Sequence, residues 1–281
     1  MAVYGVWARF TITLIALIPL FLSGCATTSD FADPRDPWEG FNRGMFTFND
    51  DVDAAFVRPI AKGYKAITPA AIDQGITNFF LNLADFNSAV NNLLQFKLER
   101  SANDFGRLAI NSTIGILGFI DVASNMNLPK HSEDFGQTLG VWGFQPGPYV
   151  VLPFLGPSSV RDAIGLVPDW YMAPIRWIPT STAVTWGTLG LWFIDRRADL
   201  LGASRVLEMA ALDPYEFIRD AYLQKREYDV FDGNLPPESF DEFEDEFEDE
   251  FEDGFEDMTE PDDLESSGTE IPGLLQPSNE P

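Results

Sequence analysis

The chain of 281 residues holds one cysteine, Cys25, and one histidine, His131. A lone thiol excludes an internal disulfide. A lone histidine leaves too few ligands for a metal centre of the His/Cys type. Neither a G-x-S-x-G nucleophile elbow nor a G-x-x-x-x-G-K-[ST] phosphate loop occurs, so the sequence makes no case for a serine hydrolase or for nucleotide hydrolysis. Glu133-Asp134, beside His131, is the one local cluster of titratable groups to note, and it reads better as the start of a helix before Phe135. No enzyme activity, cofactor or metal is expected. Long apolar runs are also missing after Cys25. The best stretch, Ala109 to Ile120, is interrupted by Asn111 and is well short of the ~20 residues a transmembrane helix needs.

Positive charge is scarce too. There are 18 Lys and Arg against 44 Asp and Glu, for a net charge of -26. No basic stripe is available for nucleic acid. The imbalance is uneven: nineteen acids lie between Glu238 and Glu280, where no Lys or Arg occurs, so the remainder carries 25 acids against 18 bases. The tail repeats Glu-Phe-Glu-Asp, placing Phe243, Phe247, Phe251 and Phe255 four apart. That spacing would align Phe on one helix face, but the flanking like charges repel. Two readings follow: an unfolded acidic tail, or a docking strip that folds on a basic partner. For calcium, the repeat lacks the spaced ligand pattern of an EF-hand loop.

The start of the chain reads as an export signal. Arg9 is the one charge before Asp30, and Phe10 to Leu22 is apolar apart from two Thr and a Pro. A positive start, a short apolar stretch and a small-residue cleavage site define such signals. Leu22-Ser23-Gly24-Cys25 resembles a bacterial lipobox, with cleavage between Gly24 and Cys25 and acylation of the Cys25 thiol. At about 0.8 kcal/mol per buried methylene, one acyl chain anchors marginally and several anchor firmly. Ala26 follows Cys25. The resemblance to Gram-negative lipoproteins implies outer-membrane sorting, because Asp in that place favours retention at the inner membrane. The expected organisation is a signal over 1–24, a lipidated tether over 25–36, a folded body over 37–230 and an acidic tail over 231–281.

The body has mostly helical periodicity. Asp36 is expected to cap a helix opened by Pro37, with Phe41, Met45 and Phe48 on one face. Thr68-Pro69 should cap a helix over Ile72 to Leu83, with Asn78 and Asn82 on one side and Ile72, Ile76, Phe79, Phe80 and Leu83 on the other. A separate helix is expected over Phe86 to Phe96, then the longest over Lys97 to Ile114, broken by Gly115 and Gly118. His131 to Pro168 is dense in Gly and Pro and reads as turns and extended loops, yet it is apolar between them, so either the core or lipid must cover it. Asp169 to Leu201, with Trp170, Trp177, Trp186 and Trp192, should form two helices split at Pro179. Asp213-Pro214 should cap a last helix over Tyr215 to Tyr228.

Several blocks resemble the MlaA/VacJ family of phospholipid-transport lipoproteins. They are Asp36 to Arg43, Asn78 to Leu83, Asn92 to Gln95, Asn111 to Gly115 with Gly118 to Ala123, Glu133 to Gly140, Gly147 to Tyr149, Leu152 to Phe154, Gly156-Pro157, Arg161-Asp162 and Asp213 to Tyr215. Phe86 departs from the pattern where proline is frequent, and Phe96 where glycine commonly follows Leu-Leu-Gln. The resemblance implies a mainly α fold: one ring-like helical domain embedded in one leaflet, with Gly/Pro-rich apolar loops and an amphipathic channel. It implies removal of mislocalised phospholipid from the outer leaflet at the outer membrane. Implied partners are a trimeric porin and a soluble periplasmic lipid carrier. Asn78 and Asn82 are candidates to edge a wet lipid path, against capping or core hydrogen bonds. The four Trp are candidates for interface anchors, against an ordinary aromatic core. Two other functions stay open on the residues themselves: a non-transporting envelope scaffold and a lipid-modifying hydrolase.

Overall fold

The structure, a computed structural model, describes residues 33–178 and 180–235. The export signal, Gly24, Cys25, most of the tether, Pro179 and the acidic repeat lie outside the described residues. Within them, helices dominate and one two-stranded hairpin is added, as a mainly α chain requires.

The first helix, α1 (Glu39–Val52), begins later than expected, with Trp38 at its N-cap and no capping side chain. Asp36 is used differently. It is buried, and its carboxylate accepts from Asn42 Nδ2 at 2.7 Å and from the Tyr215 hydroxyl. Of the face shared by Phe41, Met45 and Phe48, Met45 packs against the apolar cluster while Phe41 and Phe48 stay exposed, and the fully buried residue of α1 is Asn42. The reason is the hairpin of β1 (Tyr149–Leu152) and β2 (Gly156–Ser159), antiparallel in the register Tyr149↔Ser159. Asn42 donates to the Tyr149 carbonyl at 3.1 Å and accepts from the Val151 N–H at 2.8 Å. Asn49, two turns on, donates to the Leu152 carbonyl at 2.9 Å and accepts from the Phe154 N–H at 2.7 Å. A carboxamide offers both a donor and an acceptor, so each Asn satisfies strand backbone groups that have no further strand. The apolar cluster beside this joint is small: Tyr149, Val151 and Tyr215, covered by Met45, Phe46, Tyr222 and Leu223.

The helical run continues through a π-turn, Asp53–Val57, into α2 (Arg58–Ile67). Pro59 lies in the first turn of α2. It has no N–H for the preceding turn, which accounts for the local widening. Next comes α3 (Ala70–Leu94), a single helix of 25 residues with Pro69 at its N-cap and no side-chain cap from Thr68. The expected break between Leu83 and Phe86 does not occur, because Phe86 has the N–H that a proline would lack. So α3, not the following segment, is the longest helix. Its end is a Schellman turn. Phe96 adopts φ 62°, its N–H meets the Leu93 carbonyl at 3.1 Å, and the Lys97 N–H meets the Asn92 carbonyl at 2.9 Å. Glycine is the usual occupant of that left-handed position, so Phe96 keeps the turn in spite of its side chain.

α4 (Leu98–Thr113) folds back along α3 and stops at the Gly115 to Gly118 segment, as the sequence indicates. A short α5 (Val122–Asn125) is capped by Asp121. α6 (Phe135–Val141) is capped by Asp134, whose carboxylate accepts the Gln137 N–H at 2.9 Å, in line with the reading of Glu133-Asp134. The loop expectation for His131 to Pro168 is therefore only partly right. Gly140 lies in α6, and Gly165 and Pro168 lie in α7 (Val160–Met172). Gly165 serves packing: a Cβ there would sit 2.6 Å from the Gly136 backbone nitrogen, where α6 meets α7. After a 3₁₀ turn at Pro174–Arg176 come α8 (Thr182–Asp199), capped by Ser181, and α9 (Leu201–Ala210). The first of the two helices expected over Asp169 to Leu201 is thus the end of α7 and the 3₁₀ turn. α10 (Pro214–Val230) is capped by Asp213 as expected.

Candidate functional site

In α3 the residues Asn82, Asp85, Ser88, Ala89 and Asn92 recur at helical spacing, and all are buried. In α4 the buried residues are Ser101, Asp104, Arg107 and Asn111. The two polar stripes face one another. Asn92 donates to Asp104 at 2.8 Å, Ser101 to the Ala89 carbonyl at 2.8 Å, and Asn82 to Ser112 at 3.0 Å. Arg107, 2 % exposed, reaches Asp85 at 3.4 Å and Asp121 at 3.0 Å. Lys130 pairs with Asp85 from the other side. Helix pairs normally meet through an apolar stripe. This one meets through hydrogen bonds and buried charge.

The network continues toward α6 and α7. His131 Nδ1 lies 2.8 Å from Asp104. Gln95 donates to Glu133 at 2.9 Å and to Thr138 at 3.1 Å, and Thr138 donates to Asn91 at 2.8 Å. Arg226 of α10 clamps two helix starts, meeting Asp134 at 2.7 and 2.9 Å and Asp162 twice at 2.9 Å. Tyr222 adds a hydroxyl to Asp162 at 2.6 Å. Beyond α10, Asp232 pairs with Lys97 at 2.6 Å.

Electrostatics follow this geometry. Burial would raise the Asp162 carboxyl, but Arg226, Tyr222 and Arg161 outweigh it and hold the group down at about 2. Burial wins at Asp85 and Glu133, whose pKa values are raised in spite of their basic partners. Burial also lifts Asp169 to about 6, more than the Phe135 N–H lowers it. Among the described residues, no group of three or more His, Cys, Asp or Glu is placed to hold a metal ion.

The exterior is the inverse of the interior. The fully buried hydrophobic residues among those described are four alanines, two valines and two tyrosines, and buried polar residues far outnumber them. Large apolar side chains are instead exposed on α1, α2, α7 and α8 and at the loop tips. A buried polar set and an exposed apolar set are the two informative departures from a soluble core. The Ile114 to Ile120 loop is the sharpest instance. Ile116 and Leu117 take φ 55° and 57°, and both side chains are exposed. Left-handed backbone costs an L-residue roughly 1–2 kcal/mol. Phe144, Phe154 and Leu155 likewise stay uncovered, while Tyr149 and Val151 of the same apolar stretch turn inward. No described helix is long and apolar enough to cross a membrane.

The candidate residues separate accordingly. Asn82 is 3 % exposed and belongs to the seam between α3 and α4. Asn78 is half-buried, donates to the Phe119 carbonyl at 3.2 Å and accepts from Gln74 at 2.9 Å. The two are neighbours on α3 and both are engaged in hydrogen bonds, Asn78 to the loop at Phe119 and Asn82 to Ser112 of α4. Trp170, Trp177, Trp186 and Trp192 are all exposed. Sequence reasoning missed Asn42, Asp85, Asn92, Asp104, Arg107 and Arg226. The signal that would have found the α3 and α4 members was present: polar residues, rather than apolar ones, recurring at three- and four-residue steps.

The family model described as MlaA lipoprotein matches residues 34–229. The chain belongs to the MlaA lipoprotein family. Among MlaA relatives, the "Intermembrane phospholipid transport system lipoprotein MlaA" of Escherichia coli (strain K12) is 36% identical over 236 residues, covering 82% of this chain and 92% of that one. The protein of the same name from Haemophilus influenzae is 34% identical, covering 80% of this chain and 92% of that one. A solved structure described as "Structural basis for maintenance of bacterial outer membrane lipid asymmetry" superposes with a TM-score of 0.61 at 35% identity, covering 69% of this chain and 98% of that chain.

Proposed function

We propose that this chain is a non-enzymatic outer-membrane lipoprotein of phospholipid transport. It is anchored at the periplasmic face by acyl chains on Cys25, after cleavage at Gly24-Cys25. It takes mislocalised phospholipid from the outer leaflet through an amphipathic channel, beside a trimeric porin, and passes it to a soluble periplasmic carrier. The printed names of the MlaA relatives support the phospholipid assignment. The observation that carries it in this chain is the exchange of places between polar and apolar side chains. A two-chain lipid has about 30 methylenes, worth on the order of 24 kcal/mol if exposed to water. A transporter must therefore join lipid to lipid without a wet gap, which requires a body set into the leaflet. Exposed Trp, Phe and Ile on helices too short or too polar to span suit that position, and a rigid polar interior holds the ring-like body open without an oily core.

The test is a deletion in the parent bacterium complemented by the wild-type gene or by Cys25→Ala. Transport predicts that loss raises outer-leaflet phospholipid and detergent sensitivity, leaves lipid chemistry unchanged, and is not rescued by Cys25→Ala. Unaltered lipid asymmetry would refute it in favour of a scaffold. Lyso-lipid released from pure vesicles by the purified protein would refute it in favour of a hydrolase.

A further inference from the structure

Arg58 and Lys62 of α2, Arg197 of α8, and Leu201, Ser204 and Arg205 of α9 line a cavity of about 50 Å³. Arg58 and Lys62 are one helical turn apart and so share a face of α2, as Leu201 and Arg205 share a face of α9. The volume is several times the roughly 10–15 Å³ that a single water needs. Asp53, in the π-helical turn before α2, fixes two of the lining side chains, held by Arg197 at 2.6 and 2.7 Å and by Arg58 at 3.1 Å. Asp50 touches Arg58 at 3.4 Å. Arg197 is committed through Nε and Nη2, and its Nη1 donor has no partner. Lys62 and Arg205 are exposed and make no ion pair among the described residues. Lys62 and Arg205 thus bring to the lining two cations that no described carboxylate pairs, in a protein of net charge -26.

Val206 and Met209, in the turn of α9 that follows Arg205, are exposed, so apolar surface adjoins the charge on that helix. We propose that this cavity binds the phosphate of a phospholipid headgroup, with Lys62 and Arg205 supplying the charge. The proposal rests on the phospholipid-transport reading above and adds where, and by which group, the lipid is held. Guanidinium and ammonium donors favour phosphate oxygens through charge-assisted hydrogen bonds, and selection by phosphate implies indifference to the alcohol esterified to it.

The full-length protein in detergent is titrated with dihexanoyl phosphatidylglycerol, dihexanoyl phosphatidylethanolamine, dihexanoylglycerol and inorganic phosphate. The same titrations use Lys62→Gln/Arg205→Gln and Lys62→Arg, with circular dichroism to verify folding. Both phospholipids are expected to bind the wild type and to weaken by at least about tenfold in the double variant. Lys62→Arg should retain binding, and dihexanoylglycerol should bind more weakly than either phospholipid and be insensitive to the substitutions. Phospholipid binding that is unchanged in a folded double variant would overturn this site and leave the transport reading standing. Inorganic phosphate that binds as tightly as phospholipid would make the cavity a free-phosphate site and also overturn the proposal. A wild type that binds no phospholipid at all would overturn the transport reading and this site with it.

Discussion

The α3–α4 hairpin and the Trp-rich stretch from Trp170 to Trp192 solve opposite problems. The hairpin buries Asn82, Asp85, Asn92, Asp104 and Arg107 and leaves Leu81, Leu93 and Phe105 outside. The Trp-rich stretch has little to bury against: Trp177 is 74 % and Trp186 65 % exposed. One region is fixed by partners within the chain, and its register is set by matched donors and acceptors. The other awaits partners in its surroundings. The difference teaches that hydrophobicity does not mark the core of this protein. It marks the side turned to the solvent the protein is built for, which by the proposed function is lipid.

Breaking the hairpin should cost most. Arg107→Ala leaves Asp121 without its cation and Asp85 with Lys130 alone, and the loss should approach the roughly 3–5 kcal/mol typical of a broken buried pair. Urea or thermal unfolding in detergent measures it, and a loss under 1 kcal/mol would contradict a polar seam that fixes the fold. Next, Trp177→Ser with Trp186→Ser in a Cys25→Ala background should lower partition into vesicles by at least about tenfold. Flotation reads this, and the unfolding midpoint should stay put. If the midpoint falls and partition does not, these tryptophans belong to a core after all.

A third test uses pH. The Asp169 carboxyl, raised to about 6 by burial, binds its proton more tightly in the folded state. Its stabilisation is complete below the unfolded value near 3.8 and fades as pH rises through about 6. Asp169→Asn keeps an acceptor for the Phe135 N–H and removes the charge, so it should be the more stable protein at pH 8, by about 2 kcal/mol, and show no such fade. Equal pH profiles for the two would place Asp169 in contact with water. The smallest effect is expected at the turn between the hairpin helices. Phe96→Gly relieves a φ of 62° and should raise stability by about 1 kcal/mol while slightly weakening vesicle binding, since Phe96 is 85 % exposed.

Much of the helical outline was legible because caps and breakers act locally. Asp213-Pro214, Asp134 and the Gly115 to Gly118 break fall where the residues indicate. The errors have one physical source. Periodicity tells which residues share a face, and the assignment of that face to the inside assumes water outside. On α1 periodicity stopped at the shared face of Phe41, Met45 and Phe48 and did not single out Asn42. On α3 it divided Asn78 and Asn82 from Ile72, Ile76, Phe79, Phe80 and Leu83 and left the Asn82, Asp85 and Asn92 stripe unread. The joint between Asn42 and the hairpin was beyond reach for another reason: it links residues more than a hundred positions apart, and nothing local announces it. For the four Trp, periodicity was silent on exposure, since only three-dimensional placement separates an exposed ring from a packed one.

The asparagine joint has a consequence for how such a chain comes to be made. Asn42 meets Val151, 109 positions on, Arg43 meets Asp213, 170 positions on, and Asp36 meets Tyr215, 179 positions on. Polypeptide that emerges amino end first therefore delivers its opening helix long before anything exists for it to dock against. Contacts of such wide separation form slowly and leave sticky intermediates waiting. With so many aromatic rings uncovered even in the finished body, the half-made chain is most exposed to aggregation until α10 arrives to close the joint.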